Sequence, residues 1–227
     1  MKNILCTICV RGGSKGVKNK NIRLINGKPL VLYTIEQAKK SKLFTQIAIS
    51  TDSEKILNYL KKHKNIDLIK RPKKFAKNNS PKIPAIRHCL KKMEKKYNKK
   101  YDLICDLDAT APLRKISDIK KALRLIIRNK SNNLFSACIS KRNPYFNSVE
   151  FKNDRIRPVK NLMKKITCRQ NAPKVYDMNA SIYIWKRKML LISNKVFNKK
   201  TSLYIMPEER SFDIDTPFDF KIVEFLL

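Results

Sequence analysis

At 227 residues, with 42% hydrophobic side chains, the chain can bury one sizeable core and is expected to form a single domain over 1–227. Its formal net charge is +34, carried by 52 Lys and Arg spread along the chain rather than gathered into a tail or stripe. That distribution argues against a dedicated nucleic-acid module and fits a lysine-rich surface that attracts small anions; no apolar stretch is long enough to cross a membrane, so a soluble, cytoplasmic protein is expected.

The chain opens on an unbroken apolar run, Ile4-Leu5-Cys6-Thr7-Ile8-Cys9-Val10, which predicts a buried strand. The run stops at Arg11-Gly12-Gly13-Ser14-Lys15-Gly16, a loop holding three of the four glycines in the protein. Glycine lets backbone N–H groups face a ligand at close range, and Arg11, Lys15 and Lys20 add cations, so the junction reads as a phosphate cradle. Asn26-Gly27 predicts a tight turn, and an amphipathic helix follows from Pro29 to about Lys40. A second strand over 46–51 ends at Asp52-Ser53, either of which can cap the helix carrying Ile56, Leu57 and Leu60. A third strand over 66–69 closes at Arg71-Pro72. Alternating strands and helices predict a parallel sheet with crossover helices.

Residues 73–81 are polar and loop-like, and Pro81 and Pro84 open a helix through Ile86, Leu90 and Met93. A fourth strand over 101–108 runs into Ala109-Thr110-Ala111-Pro112-Leu113-Arg114. Ser117-Asp118 caps the next helix, and a fifth strand covers 134–139. From 141 to 178 the pattern breaks. Asn153-Asp154 predicts a hairpin turn between 148–151 and 155–158, and the stretch reads as an insertion outside the sheet whose exposed apolar residues suit a subunit contact. The parallel pattern is expected to resume at 180–185, with a last strand over 203–206. A C-terminal helix from Pro217 places Phe218, Ile222, Val223 and Leu226 inward. Cys6 and Cys9 have C-x-x-C spacing but fall on opposite faces of a strand, and no second pair completes a zinc set.

Asp213 and Asp215 flank Ile214. Residues two apart in extended chain share a face, and adjacent carboxylates repel unless a cation lies between them, so the pair is a candidate Mg²⁺ site, with Mn²⁺ the alternative. Helix capping by Asp215 ahead of Thr216-Pro217 would account for one of the two only. Asp106 and Asp108 repeat the spacing, and spacing does not rank the pairs; a solvent-facing strand end is the competing reading of Asp106. A phosphate loop, an acidic pair and a parallel sheet point together to phosphoryl or nucleotidyl transfer. The loop lacks the Gly-Lys-Ser/Thr ending of a Walker loop and the G-x-G-x-x-G spacing of dinucleotide folds.

Arg11-Gly12-Gly13-Ser14-Lys15-Gly16 with Lys20-Asn21 resembles the N-terminal motif of the acylneuraminate cytidylyltransferases, the CMP-sialic acid synthetase family. The resemblance continues through Ser50-Thr51-Asp52, Arg71-Pro72, Pro112-Leu113-Arg114, Ser136-Ala137, Arg169-Gln170, Asn179-Ala180 and Asp213-Ile214-Asp215-Thr216. It implies a three-layer, Rossmann-like α/β nucleotidyltransferase fold with a mainly parallel sheet and a small dimerisation insertion. It implies that CTP and a nine-carbon 2-keto acid sugar react to a CMP-sugar and pyrophosphate. On the matching positions, Arg11, Gly13, Ser14, Lys15 and Lys20 hold the triphosphate, Asn21 meets the ribose and Arg71 the cytosine edge. Arg11, Lys20 and Asp213 form the catalytic set, with Asp213 or a metal-bound group able to help deprotonate the sugar hydroxyl. Asp213 and Asp215 bind Mg²⁺, and Arg169 and Gln170 lie near the sugar. A homodimer is expected, the partner's insertion helping to close the site.

Where many sialic acid enzymes carry Leu-Gln-Pro-Thr-Ser-Pro-Leu-Arg, this chain has Leu107-Asp108-Ala109-Thr110-Ala111-Pro112-Leu113-Arg114. Asp108 therefore replaces the glutamine that faces the sugar, and an acceptor-only carboxylate prefers a donor-rich substituent. With Asn143-Pro144-Tyr145-Phe146 and Tyr176-Asp177-Met178-Asn179, this resembles the branch that handles legionaminic acid; KDO and pseudaminic acid are the alternative sugars. A nonspecific nucleic-acid-binding protein is the reading from a different class, motivated by charge alone. Ala76-Lys77-Asn78 also departs from the family's usual Ala-Ser/Glu-Asp.

Overall fold

The N-terminal apolar run forms β1 (Ile4–Cys9), an interior strand of a seven-stranded sheet. The computed structural model describes residues 2–14, 16–162 and 166–227. The hairpin β2 (Leu24–Ile25) and β3 (Lys28–Pro29) turns at Asn26 and Gly27, with φ of 45° and 74°, the left-handed pair that a two-residue turn of this sequence demands. There follow α1 (Leu30–Ser41), β4 (Gln46–Thr51), α2 (Glu54–Leu60), β5 (Asp67–Lys70), α3 (Lys82–Tyr97), β6 (Leu103–Leu107), α4 (Ile116–Arg128) and β7 (Asn133–Ile139). A separate hairpin, β8 (Val149–Lys152) and β9 (Arg155–Pro158), turns at Asn153 and Asp154, both left-handed, as their sequence predicts. The chain ends in β10 (Tyr176–Lys186), α5 (Arg187–Ile192), β11 (Thr201–Ile205) and α6 (Pro217–Leu226).

The sheet order is β11-β7-β10-β6-β1-β4-β5. The pairings β1–β4, β1–β6, β4–β5 and β7–β11 are parallel, which makes the sheet mainly parallel as expected. β10 departs from the expected parallel order: it runs antiparallel to both β6 and β7. The reason is connectivity. No crossover helix carries the chain from the end of β7 back to the start of the sheet, so the next strand returns in the opposite sense.

Alternate residues of each strand feed two cores. Cys6 and Ile8 pack with α1, α2 and α4, whereas Leu5 and Ile104 pack with α3 and α5. The result is a helix–sheet–helix sandwich. α6 covers a third, smaller cluster of Val17, Ile25, Leu30 and Ile214 with Phe220 and Val223. Phe218 and Leu226, expected inward, are exposed. Thr216 caps this helix, with Asp219 closing a reciprocal capping box, so Asp215 is not the cap. At α4 the capping carboxylate is Asp118, which accepts from the Lys115 N–H, while Ser117 lies inside the helix.

Candidate active site

A cavity of about 370 Å³ opens at the carboxyl ends of β1 and β6. β4 flanks β1 on one side and β6 on the other, the point where strand order reverses and a crevice forms. Cys9, Val10, Arg11, Ser14, Gly16, Lys20 and Asn21 line one wall, Phe75 to Asn78 and Ser80 to Lys82 another, and Asp108, Thr110, Ala180, Asp213 and Asp215 complete it.

The loop after β1 is glycine-rich for close approach. A Cβ on Gly12 would lie 2.8 Å from Ser53 Cβ, and one on Gly16 would lie 1.9 Å from the Asp215 carbonyl oxygen. Gly16 thereby lets the Asp213–Asp215 segment lie directly against the loop. Gly13 has nothing within 4 Å of that position and does not line the cavity. The Gly12 N–H donates to Asp52 Oδ1 at 3.1 Å, tying the loop to the end of β4. Buried Asn21 donates from Nδ2 to the Arg11 carbonyl at 3.0 Å. Arg11 reaches across to Asn78 Oδ1 at 3.0 Å, and Lys20 Nζ donates to the Ile214 carbonyl and lies 3.1 Å from Asp215 Oδ1. Arg71 is buried; it donates to the Val10 carbonyl at 2.7 Å and keeps Nε without a partner among the described residues. Lys15 lies outside the described residues.

The two aspartate pairs differ sharply. Asp106 is fully buried rather than solvent-facing, and accepts from the Thr7 hydroxyl at 2.7 Å. Lys82 Nζ sits 3.0 Å from Asp106 Oδ2 and 2.9 Å from Asp108 Oδ2, with the Tyr183 ring 4.5 Å from the ammonium. Burial works against the charge on Lys82, but the two carboxylates outweigh it and hold its pKa well above the lysine range. Burial likewise opposes the charge on Asp108, yet Lys82 and the Thr110 N–H and hydroxyl hold its carboxyl down at about 2. This pair has its cation already, an internal one.

Among the described residues Asp213 has no such partner. Burial and then Asp215 push its carboxyl up to about 6, the behaviour of two carboxylates facing each other without a shared counter-charge. Among the described residues no group of three or more His, Cys, Asp or Glu side chains is placed to hold a metal by itself. Two carboxylates beside a phosphate cradle fit Mg²⁺, which takes one or two carboxylates and completes its shell with substrate phosphates and water.

The structure gathers Arg11, Ser14, Lys20, Asn21, Arg71, Asp108, Asp213 and Asp215 around one cavity. Arg169 and Gln170 are not among its lining residues. Arg169 donates to the Lys141 carbonyl and borders a separate depression with Ile139, Ile205 and Glu208, and Gln170 is exposed. Lys82 is the residue that sequence reasoning missed. Its signal is its position, the first residue of α3, where a cation opposes the helix dipole and needs another reason to be present. Arg114 turns out to be a buried strut: it donates to the Ser181 and Asp108 carbonyls and to Thr34 Oγ1, fixing the β6 loop against β10 and α1.

A family model described as cytidylyltransferase matches residues 5–226. The chain belongs to the cytidylyltransferase family. It is 49% identical over 227 residues to a CMP-N,N′-diacetyllegionaminic acid synthase of Campylobacter jejuni, covering 100% of this chain and 96% of that one. It is equally similar, over the same shares, to a post-translational flagellin modification protein B of Campylobacter coli. Among solved structures, a CMP:2-keto-3-deoxy-manno-octonic acid synthetase complexed with CTP shares the fold, with a TM-score of 0.69 over 99% of this chain and 98% of that chain at 14% identity.

Proposed function

We propose that this cytidylyltransferase activates an acidic nine-carbon 2-keto sugar with CTP, and that the sugar is of the diacylated legionaminic acid type. The observation that carries the reading is the convergence of Arg11, Ser14 and Lys20 with the Asp213–Asp215 pair at the end of β1, in a chain 49% identical to a CMP-N,N′-diacetyllegionaminic acid synthase. The sugar's anomeric oxygen attacks the α-phosphorus of CTP, the bond to the bridging β-phosphate oxygen breaks, and the hydroxyl proton passes to Asp213. Arg11 and Lys20 stabilise charge on the transferring and leaving phosphates. Arg71 and Asn21 line the same cavity, which supports roles for them at the cytosine edge and the ribose. Asp213 and Asp215 would hold Mg²⁺ or Mn²⁺, which when bound supplies charge neutralisation at the phosphates.

The same reading includes a cytoplasmic homodimer. Val149, Phe151 and Ile156 are exposed on the β8–β9 hairpin, supporting the 141–178 stretch as a subunit contact that brings Arg169 and Gln170 to a sugar. Among the described residues no helix is long and apolar enough to cross a membrane. Pyrophosphate release with CTP, Mg²⁺ and a panel of legionaminic, sialic, pseudaminic and KDO acids tests the activity. Release is expected with legionaminic acid first; silence with every sugar would refute it. A nonspecific nucleic-acid binder would instead show tight, salt-steep DNA binding and no thermal stabilisation by CTP.

A further inference from the structure

Arg11, Lys20, Arg71 and Lys77 line the cavity together with Asp213 and Asp215, and Lys82 lines it with Asp108. Lys82 has three N–H donors. One donates to Asp108 Oδ2 at 2.9 Å, the ammonium lies 3.0 Å from Asp106 Oδ2 in an ion pair, and it lies 4.5 Å from the centre of the Tyr183 ring. Lys82 is thus committed within the protein. Asp108 is the carboxylate that borders the cavity beside Lys82, which makes this part of it unsuited to a sugar carboxylate.

Asp108 is committed almost as fully. A carboxylate offers about four acceptor directions. Oδ1 takes the Thr110 N–H and hydroxyl, both at 3.0 Å, and Oδ2 takes Lys82. About one direction remains, on Oδ2, at a residue that borders the cavity.

We infer that Lys82 is a specificity-determining positioning residue, which fixes Asp108 as a single acceptor that selects a neutral hydrogen-bond donor on the sugar and turns the sugar's carboxylate away from itself. The donor is an acylamino N–H or a hydroxyl. This rests on the proposed cytidylyltransfer to an acidic sugar and adds the direction in which the sugar lies. The low carboxyl pKa of Asp108, about 2, is consistent with a group that never donates at neutral pH.

The test is pyrophosphate release with CTP and a series of acidic sugars in which each acylamino N–H is replaced by an O-acyl ester and each hydroxyl by hydrogen. For the unaltered protein, one analogue should lose about 10–100-fold in kcat/KM, the range for a hydrogen bond to a charged group. Asp108→Ala leaves Lys82 paired with Asp106, and should shrink that loss to within about 3-fold with the KM for CTP unchanged. Lys82→Met combined with Asp106→Asn avoids an unpaired buried carboxylate and should shrink it similarly. Thermal stabilisation by CTP reports that each variant is folded and binds nucleotide. If both variants discriminate as the parent does, or if no single donor matters to the parent, the assignment of Lys82 and Asp108 is wrong while the activity stands. Absence of turnover by the parent with every sugar overturns the activity and this assignment together.

Discussion

Asp106 and Asp108 share the spacing of Asp213 and Asp215, but Lys82 lies between the first two, and among the described residues no buried cation lies between the second, whose members line the cavity beside Asp108. Lys20 touches only the exposed Asp215 of the second pair, leaving Asp213 raised to about 6 while Asp108 is held at about 2. Identical sequence spacing therefore yields one self-neutralised pair that shapes the cavity and one pair with unmet negative charge. The partner brought by the fold, not the spacing, separates a carboxylate pair bridged by an internal cation from one that is not bridged among the described residues.

The sharpest way to break that contrast is Asp213→Asn. Metal-dependent pyrophosphate release should fall by about 10²–10³-fold, the range for losing one group that stabilises developing charge. The melting temperature of the empty protein should hold or rise, because an unfavourable buried charge is removed. On the other pair, Lys82→Met should cost about 3–5 kcal/mol of stability in denaturant unfolding, since it strands buried Asp106. Adding Asp106→Asn should recover most of it. A smaller effect is expected at the loop: Gly16→Ala drives a methyl into the Asp215 carbonyl and should cost about 1–3 kcal/mol while raising the Mg²⁺ needed for half-maximal rate. Gly13→Ala, with open space around it, should stay within about 0.5 kcal/mol in the same unfolding assay.

The gentlest probe is pH. The Asp213 carboxyl is raised from 3.8 to about 6, so its contribution to the stability of the metal-free protein is full below the unfolded value and is lost as pH rises through about 6. Bound Mg²⁺ favours the ionised form. The melting-temperature gain from Mg²⁺ should therefore grow between about pH 5 and about pH 7, and Asp213→Asn should flatten that growth.

Local patterns made much of this legible in the sequence. The apolar run into Arg11 and the glycines, Asn26-Gly27, Asn153-Asp154 and the strand–helix alternation all act within a few residues, and each appears where its chemistry puts it. What was not legible depends on distant partners. Lys82 is one lysine in a lysine-rich chain until β6, 24 and 26 residues on, brings two carboxylates to it. The reversal of β10 follows from the return path after β7, which strand hydrophobicity does not encode. Gly16 looked like a ligand contact and is equally a packing requirement of Asp215, almost the whole chain away.

The most direct test of the central claim is a Mn²⁺ titration by electron paramagnetic resonance in the presence of CTP, comparing the parent protein, Asp213→Asn and Asp108→Ala. Protein-dependent Mn²⁺ binding should be strong in the parent, weakened by at least about 10-fold in Asp213→Asn and nearly unchanged in Asp108→Ala. Loss of binding in Asp108→Ala with retention in Asp213→Asn would reverse the roles assigned to the two pairs.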